Sequence, residues 1–352
     1  MLTVPHTGQI HILTGLRGVA ALIVFISHAA NRGYLPYRLG NGFGQIGLML
    51  FFLLSGFLMA HLYLHRECTA KNIWQYAMAR IGRVFPLYLA LIIISFWISN
   101  SVFEDFYYAI RKWEYLWEAI FFLGAPYAFW TIPVEVQFYL IFILFWWCYH
   151  TWKRTWNILI FALLTCLPPI GAVLFNYQLI GQTSKYLFSF FIGVGTALLY
   201  RHKLKSRLLK RLADIAGLPC FILLFLNLPV IRKSFGLTLV DQSIYVRTWL
   251  DPVSWTIILA VFWCSLLNSF SLRFLNWRPF AFFGSISYGF YLFHSPILYH
   301  AQALPFPTLM KLSLSFFVTL LLAVLSFKYY EKPLAEIIRN FRLRSHTPAI
   351  KE

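Results

Sequence analysis

Three groups of polar residues stand out because nearly everything around them is apolar. Arg17 and His28 lie eleven residues apart in one apolar run, in Leu16-Arg17-Gly18 and Ser27-His28-Ala29. On a helix that is about three turns, so the two share nearly one face and sit roughly 16 Å apart along the axis. A charge at mid-bilayer costs at least about 2.5–3.5 kcal/mol, so ionisable groups inside apolar spans mark function by default. Taken singly, Arg17 would snorkel to lipid phosphate and His28 would bond a neighbouring helix. Together, on a face with Gly15, Gly18, Ala20 and Ala21, they read as the lining of a site.

Glu135 follows Trp130-Thr131-Ile132-Pro133 and precedes Phe138-Tyr139. Proline suits the first helical position, which places Glu135 on a first turn, at the outer end of its span and level with His28. A carboxylate beside an imidazole fixes its tautomer and raises its basicity, the arrangement of general-base catalysis. A structural pairing with a helix N-terminus or a basic neighbour is the alternative. Arg80 and Arg83, one turn apart, form a fork for phosphate oxygens or a positive anchor at the membrane surface. His294 is expected near the outer end of a late span, in a packing or hydrogen-bonding role. Ser55-Gly56, within Phe51–Phe57, is a notch suited to close helix packing. The sequence holds no glycine-rich phosphate loop, zinc signature or Gly-x-Ser-x-Gly elbow. Five cysteines show neither metal nor disulfide spacing, so no metal centre is expected.

The elements that must position these groups follow from composition. Of 352 residues, 60% are hydrophobic, 20% aromatic and only 12% charged. Soluble domains carry about 25% charged residues, so a soluble or disordered chain is excluded. An all-α polytopic membrane protein remains. Runs long enough to span lie near 13–30, 44–64, 82–100, 131–149, 156–175, 184–200, 213–230, 250–268, 280–299 and 308–329. The net charge of +18 sits between these runs, where the positive-inside rule puts it, and needs no nucleic acid. With ten spans and both termini cytoplasmic, twenty basic residues fall inside and nine outside. An eleventh span at 115–130 would invert the cluster Arg201–Arg211, so that stretch is expected to be a re-entrant or membrane-dipping segment of an outer loop. Arg17 then faces the cytoplasm and His28 the outer side. The expected division is one membrane domain, 1–330, with a basic cytoplasmic tail, 331–352, and no cleavable signal peptide.

At these residues the chain resembles the membrane acyltransferase-3 family, bacterial O-acyltransferases of surface and envelope glycans. The family's basic-x10-His motif falls on Arg17 and His28. Its Phe-Phe-x-x-Ser-Gly-Phe segment falls on Phe51 through Phe57, and Arg-x-x-Arg with Pro-Leu-Tyr on Arg80, Arg83 and Pro86-Leu87-Tyr88. Trp-Ser-Leu-x-x-Glu-x-x-Phe-Tyr corresponds to Trp130 through Tyr139, and Ile-Ser-Tyr-x-x-Tyr-Leu-x-His-x-Pro to Ile286 through Pro296. Thr131 and Pro133 depart from the usual serines, which removes a hydroxyl at 133. The chain is similar to standalone members that lack a C-terminal esterase-like domain.

The resemblance implies a bacterial inner-membrane O-acetyltransferase. Its donor would be cytoplasmic acetyl-CoA or another acyl-CoA, a co-substrate rather than a bound cofactor. Its acceptor would be a carbohydrate hydroxyl, as in O-antigen of lipopolysaccharide, capsule or exopolysaccharide. Arg17, Arg80 and Arg83 would hold the CoA phosphates, His28 would be the base, and Glu135 would orient it. Trp130, Tyr139, Tyr291 and His294 would line the sugar site, together with the aromatic loop 101–130. The competing class is a glycan or lipid transporter or flippase, which predicts broken helices at matching places in two repeated halves. The sequence shows no such pair.

Overall fold

The computed structural model describes residues 7–174, 182–201, 206–234 and 248–341. Lys203, Lys205 and the tail beyond Phe341, with Arg342, Arg344 and Lys351, lie outside the described residues. Helix starts follow capping chemistry. Thr69 accepts from the Asn72 N–H and opens α3 (Ala70–Ser101). Asp251 accepts from the N–H groups of Val253 and Ser254 ahead of α10 (Pro252–Leu266), with proline at the favoured first position. The other helices are α1 (Thr7–Asn31), α2 (Phe43–Tyr63), α4 (Trp113–Ile120), α5 (Thr131–Thr151), α6 (Arg154–Leu174), α7 (Gln182–Arg201) and α8 (Arg207–Leu226). They continue with α9 (Pro229–Ser234), α11 (Arg278–His300), α12 (Thr308–Ser326) and α13 (Lys332–Arg339). Among the described residues there is no strand.

The ten apolar runs each coincide, in the main, with one of the ten longest helices among the described residues. Among the described residues six helical segments are long and apolar enough by themselves to cross a membrane, and α10 with the 3-10 turn Phe270–Asn276, bent by 81°, makes a seventh if the pair counts as one span. The helices that miss this test include α11, whose interior carries Ser285, Ser287, His294 and Ser295. Apolar side chains also cover the outside: Ile93, Ile94 and Trp97 on α3, Leu140 and Leu144 on α5, Leu321 and Leu325 on α12. An apolar exterior around a bundle with buried serines and histidines is that of a membrane protein.

α1 is gripped by α2 and α11. A Cβ on Gly284 would stand 1.8 Å from the Thr14 carbonyl oxygen, and one on Gly15 would stand 2.1 Å from that of Leu275. Only glycine allows backbones this close, so the face of α1 bearing Arg17 and His28 is fixed in register against α11.

Three expectations are corrected. First, α3 begins at Ala70, twelve residues before the apolar run at 82, because the Thr69 cap lets a polar stretch start the helix. Arg80 and Arg83 therefore sit within the bundle rather than at its mouth. Second, the boundary at 330 does not begin a free tail. A π turn, Phe327–Glu331, leads into α13, which packs on α3 with Ala335 beside Gly82. Tyr330 Oη donates to the Pro86 carbonyl and Trp74 Nε1 to that of Phe341.

Third, α5 does not start at the outer end of the bundle. After Ser101 the chain folds back along α3. Tyr88 Oη donates to the Ala119 carbonyl (3.0 Å), and Phe122, at a left-handed φ of 56°, stacks on Tyr88 with ring centroids 5.2 Å apart. Tyr88 lies thirteen residues before Ser101, about 20 Å down the helix. The chain enters α5 from that depth. Tyr76, near the start of α3, donates to the Tyr139 carbonyl, and Trp146 Nε1 donates to that of Arg66.

Candidate active site

That depth decides where Glu135 goes. Its Oε1 accepts from Ser55 Oγ (2.7 Å) and Tyr139 Oη (2.6 Å). The serine of the Phe51–Phe57 notch thus holds the carboxylate, while Gly56 beside it meets the Phe190 backbone of α7. Glu135 lines a cavity of about 520 Å³ together with Arg17, Arg83, Ser55, Ser287, Tyr288 and Tyr291. Arg80 lies one turn from Arg83 toward the start of α3, its guanidinium 6.0 Å from the Tyr139 ring centroid. Its Nε is buried without a hydrogen-bond partner among the described residues. The arginine pair therefore splits, one member facing the cavity and the other lying behind Tyr139.

His28 is elsewhere. Its Nδ1 is 2.8 Å from Ser295 Oγ, and its ring stands edge-on to His294 at 4.8 Å. The expected pair of His28 with Glu135 is not formed. Glu135 sits deeper, at the Arg17 end of the α1 face, because 101–130 returns into the bundle before α5 begins. Ser295 and His294 hold the place beside His28. Tyr291 joins the two ends: it lines the cavity, and its ring is 5.6 Å from that of His294. Its hydroxyl donates to the Ala128 carbonyl (2.8 Å) and lies 3.1 Å from Thr131 Oγ1.

The aromatic residues expected to line a sugar site differ in exposure. Tyr139 is buried with its hydroxyl committed to Glu135. Trp130 packs on Tyr186 and Phe52. The rings that reach the surface belong to the outer loop and the end of α11: Tyr127 and Tyr299 are 46% and 40% exposed. Tyr107 lies between them at 5.1 and 5.2 Å, and Arg32 stands 4.7 Å over Tyr107. Arg32 is one helical turn beyond His28. Sequence reasoning missed Arg32 and Ser295; the signal was their spacing, four residues after His28 and one after His294. Among the described residues no group of three His, Cys, Asp or Glu is placed to hold a metal.

Arg17, Ser55, Glu135 and Tyr291, each from a different ordered motif, thus converge on one cavity, and His28, from the same motif as Arg17, stands about three turns along α1 from it. The acyltransferase domain of the acyltransferase-3 family matches residues 10–328. The chain belongs to this family. It is 26% identical to YrhL of Bacillus subtilis, by name a candidate peptidoglycan O-acetyltransferase, over 99% of this chain and 58% of that protein. It is 23% identical to the O-acetyltransferase OatA of Staphylococcus aureus, over 96% of this chain and 59% of that protein. To the peptidoglycan O-acetyltransferase OatA of Listeria monocytogenes it is 23% identical, over 92% of this chain and 55% of that protein. The chain therefore spans less than two thirds of the length of these relatives. No solved structure matches it.

Proposed function

We propose that this acyltransferase-3 chain is a multi-pass O-acetyltransferase that moves acetyl from cytoplasmic acetyl-CoA to a hydroxyl of an extracytoplasmic envelope glycan. Peptidoglycan, named for its relatives, is the first acceptor to test. In this reading the ten long helices span the bilayer with both termini cytoplasmic, and 101–130 re-enters from the outer side. One observation carries it: Arg17 and Arg83 face a cavity at one end of the α1 face, and His28 stands about three turns further along that face. Guanidinium groups suit the CoA phosphates, and the rise from Arg17 to His28, roughly 16 Å, is of the order of an extended pantetheine arm.

At the outer end, the glycan hydroxyl attacks the thioester carbonyl as His28 Nε2 takes its proton. The carbon–sulfur bond breaks, and the imidazolium returns a proton to the departing CoA thiolate. Glu135 serves the donor end, balancing Arg17 and Arg83, rather than orienting His28. The surface tyrosines and Arg32 present the sugar. Base-labile acetate on envelope polysaccharide tests the reading. Cells expressing the wild type should carry it, and cells with equal amounts of His28→Ala should not. Equal acetate in both would remove His28 from the chemistry.

A further inference from the structure

The histidine pair at the outer end has a direction, set by which atoms can donate. His294 and Ser295 are 1% and 0% exposed. His294 Nδ1 meets the Tyr291 carbonyl oxygen, one turn earlier on α11. A carbonyl only accepts, so Nδ1 carries the hydrogen and, in the neutral ring, Nε2 carries the lone pair. Ser295 Oγ lies 3.2 Å from that Nε2, so its hydroxyl hydrogen turns toward His294. The remaining lone pair of Oγ faces His28 Nδ1 at 2.8 Å, which must then be the donor. With the Ser295 hydrogen on His294 rather than on the neighbouring Tyr108 oxygen, the chain of bonds ends with His28 as the Nδ1–H tautomer and its Nε2 unprotonated.

The turn that carries the pair is fixed from outside. Pro296 has no N–H, so the Leu292 carbonyl loses its helical partner. Tyr108 of the outer loop takes that place, its hydroxyl donating at 3.0 Å. Its own hydrogen is thereby committed. Among the described residues neither imidazole is hydrogen-bonded to a carboxylate.

We propose that His294 and Ser295 are positioning residues that hold His28 in the tautomer presenting Nε2 as base, in place of the carboxylate usual in a histidine base. The proposal rests on His28 being the base of the acetyl transfer. It makes an unusual demand: the acceptor atom at position 294 matters more than the ring. In His294→Phe the Ser295 hydroxyl loses the Nε2 acceptor and turns to His28 Nδ1 or to the Tyr108 oxygen; the first moves the His28 proton to Nε2, and both remove the direction set by His294. In His294→Gln the side-chain Oε1 accepts from Ser295 again.

The test uses inverted membrane vesicles from expressing cells, with radiolabelled acetyl-CoA, reading base-labile acetate in the polysaccharide and normalising to enzyme present. Ser295→Ala and His294→Phe should lower kcat about 10²-fold or more, since a wrong tautomer in a serine-protease triad costs about 10⁴-fold. The KM for acetyl-CoA should stay within about twofold in both. His294→Gln should return kcat to within about tenfold of wild type. Wild-type kcat in His294→Phe overturns the proposal, as does equal damage in His294→Gln and His294→Phe. If His28→Ala retains transfer, the functional reading fails with it; if His28→Ala is dead while the positioning variants are fully active, only the relay fails.

Discussion

Arg17 and His28 leave the same face of α1, yet their surroundings differ in kind. Around Arg17 the structure collects charge: Arg83 and Glu135 on one cavity, and Arg80 one turn away with a buried Nε unpaired among the described residues. Around His28 it collects neutral hydrogen bonds, from Ser295 through His294 to a backbone carbonyl. An anion arriving at the first end gains most from charge, whose pull grows in a low dielectric. A proton taken at the second end needs one lone pair in a known direction, and neutral bonds supply that without trapping the proton. Under the proposed function one helix offers a charge-reading end and a proton-reading end about three turns apart, and substitutions should separate them.

The largest separation is expected at His28. His28→Ala should lower kcat about 10³-fold, within the usual range for losing a general base, while equilibrium binding of labelled acetyl-CoA to membranes stays near wild type. Loss of binding as well would merge the two ends. Next, Arg17→Ala or Arg83→Ala should raise the KM for acetyl-CoA about 10- to 100-fold, because a hydrogen bond to a charged group contributes about 1.5–3 kcal/mol. In the wild type the same KM should rise with salt while kcat does not, since screening acts on charge pairs; a salt-dependent kcat would break the comparison.

Gly284→Ala reaches both ends at once. A methyl group placed 1.8 Å from the Thr14 carbonyl must push α1 away from α11, at about 1–3 kcal/mol. The variant should melt earlier in detergent and lose kcat and KM together. The smallest effect belongs to Tyr108→Phe, which deletes one hydrogen bond to the Leu292 carbonyl, about 1 kcal/mol. It should lower kcat less than tenfold and leave the KM for acetyl-CoA unchanged.

Much of this was legible from residues alone. Apolar runs of span length matched ten helices among the described residues, six of them long and apolar enough by themselves to cross a membrane, and rarity inside such runs singled out Arg17, His28 and Glu135. The start of α3 was not legible, because a threonine cap and a polar first turn look like a loop beside apolar spans. Nor was the depth of Glu135. It depends on Phe122 finding Phe85 and Tyr88, contacts between distant residues that no local pattern announces. Ser295 was hidden for a related reason. A serine in an apolar helix reads as a small residue until a histidine from another helix is seen beside it.

The segment 101–130 ties the two halves of the chain in time as well as in space. Tyr108 is joined to Leu292 and Ala128 to Tyr291, bonds that close over 184 and 163 residues. Synthesis runs from the N-terminus, and α11 is made long after this segment. Until then the short helix α4 and its flanking turns lean on α3 and on α5, where Gln137 donates to the Phe122 carbonyl, without their fastening to α11. A chain truncated before Arg278 would leave the segment open to protease, and the full chain would close it. Assembly of the site is thus a late event, completed only when α11 arrives to fasten a loop made near the beginning.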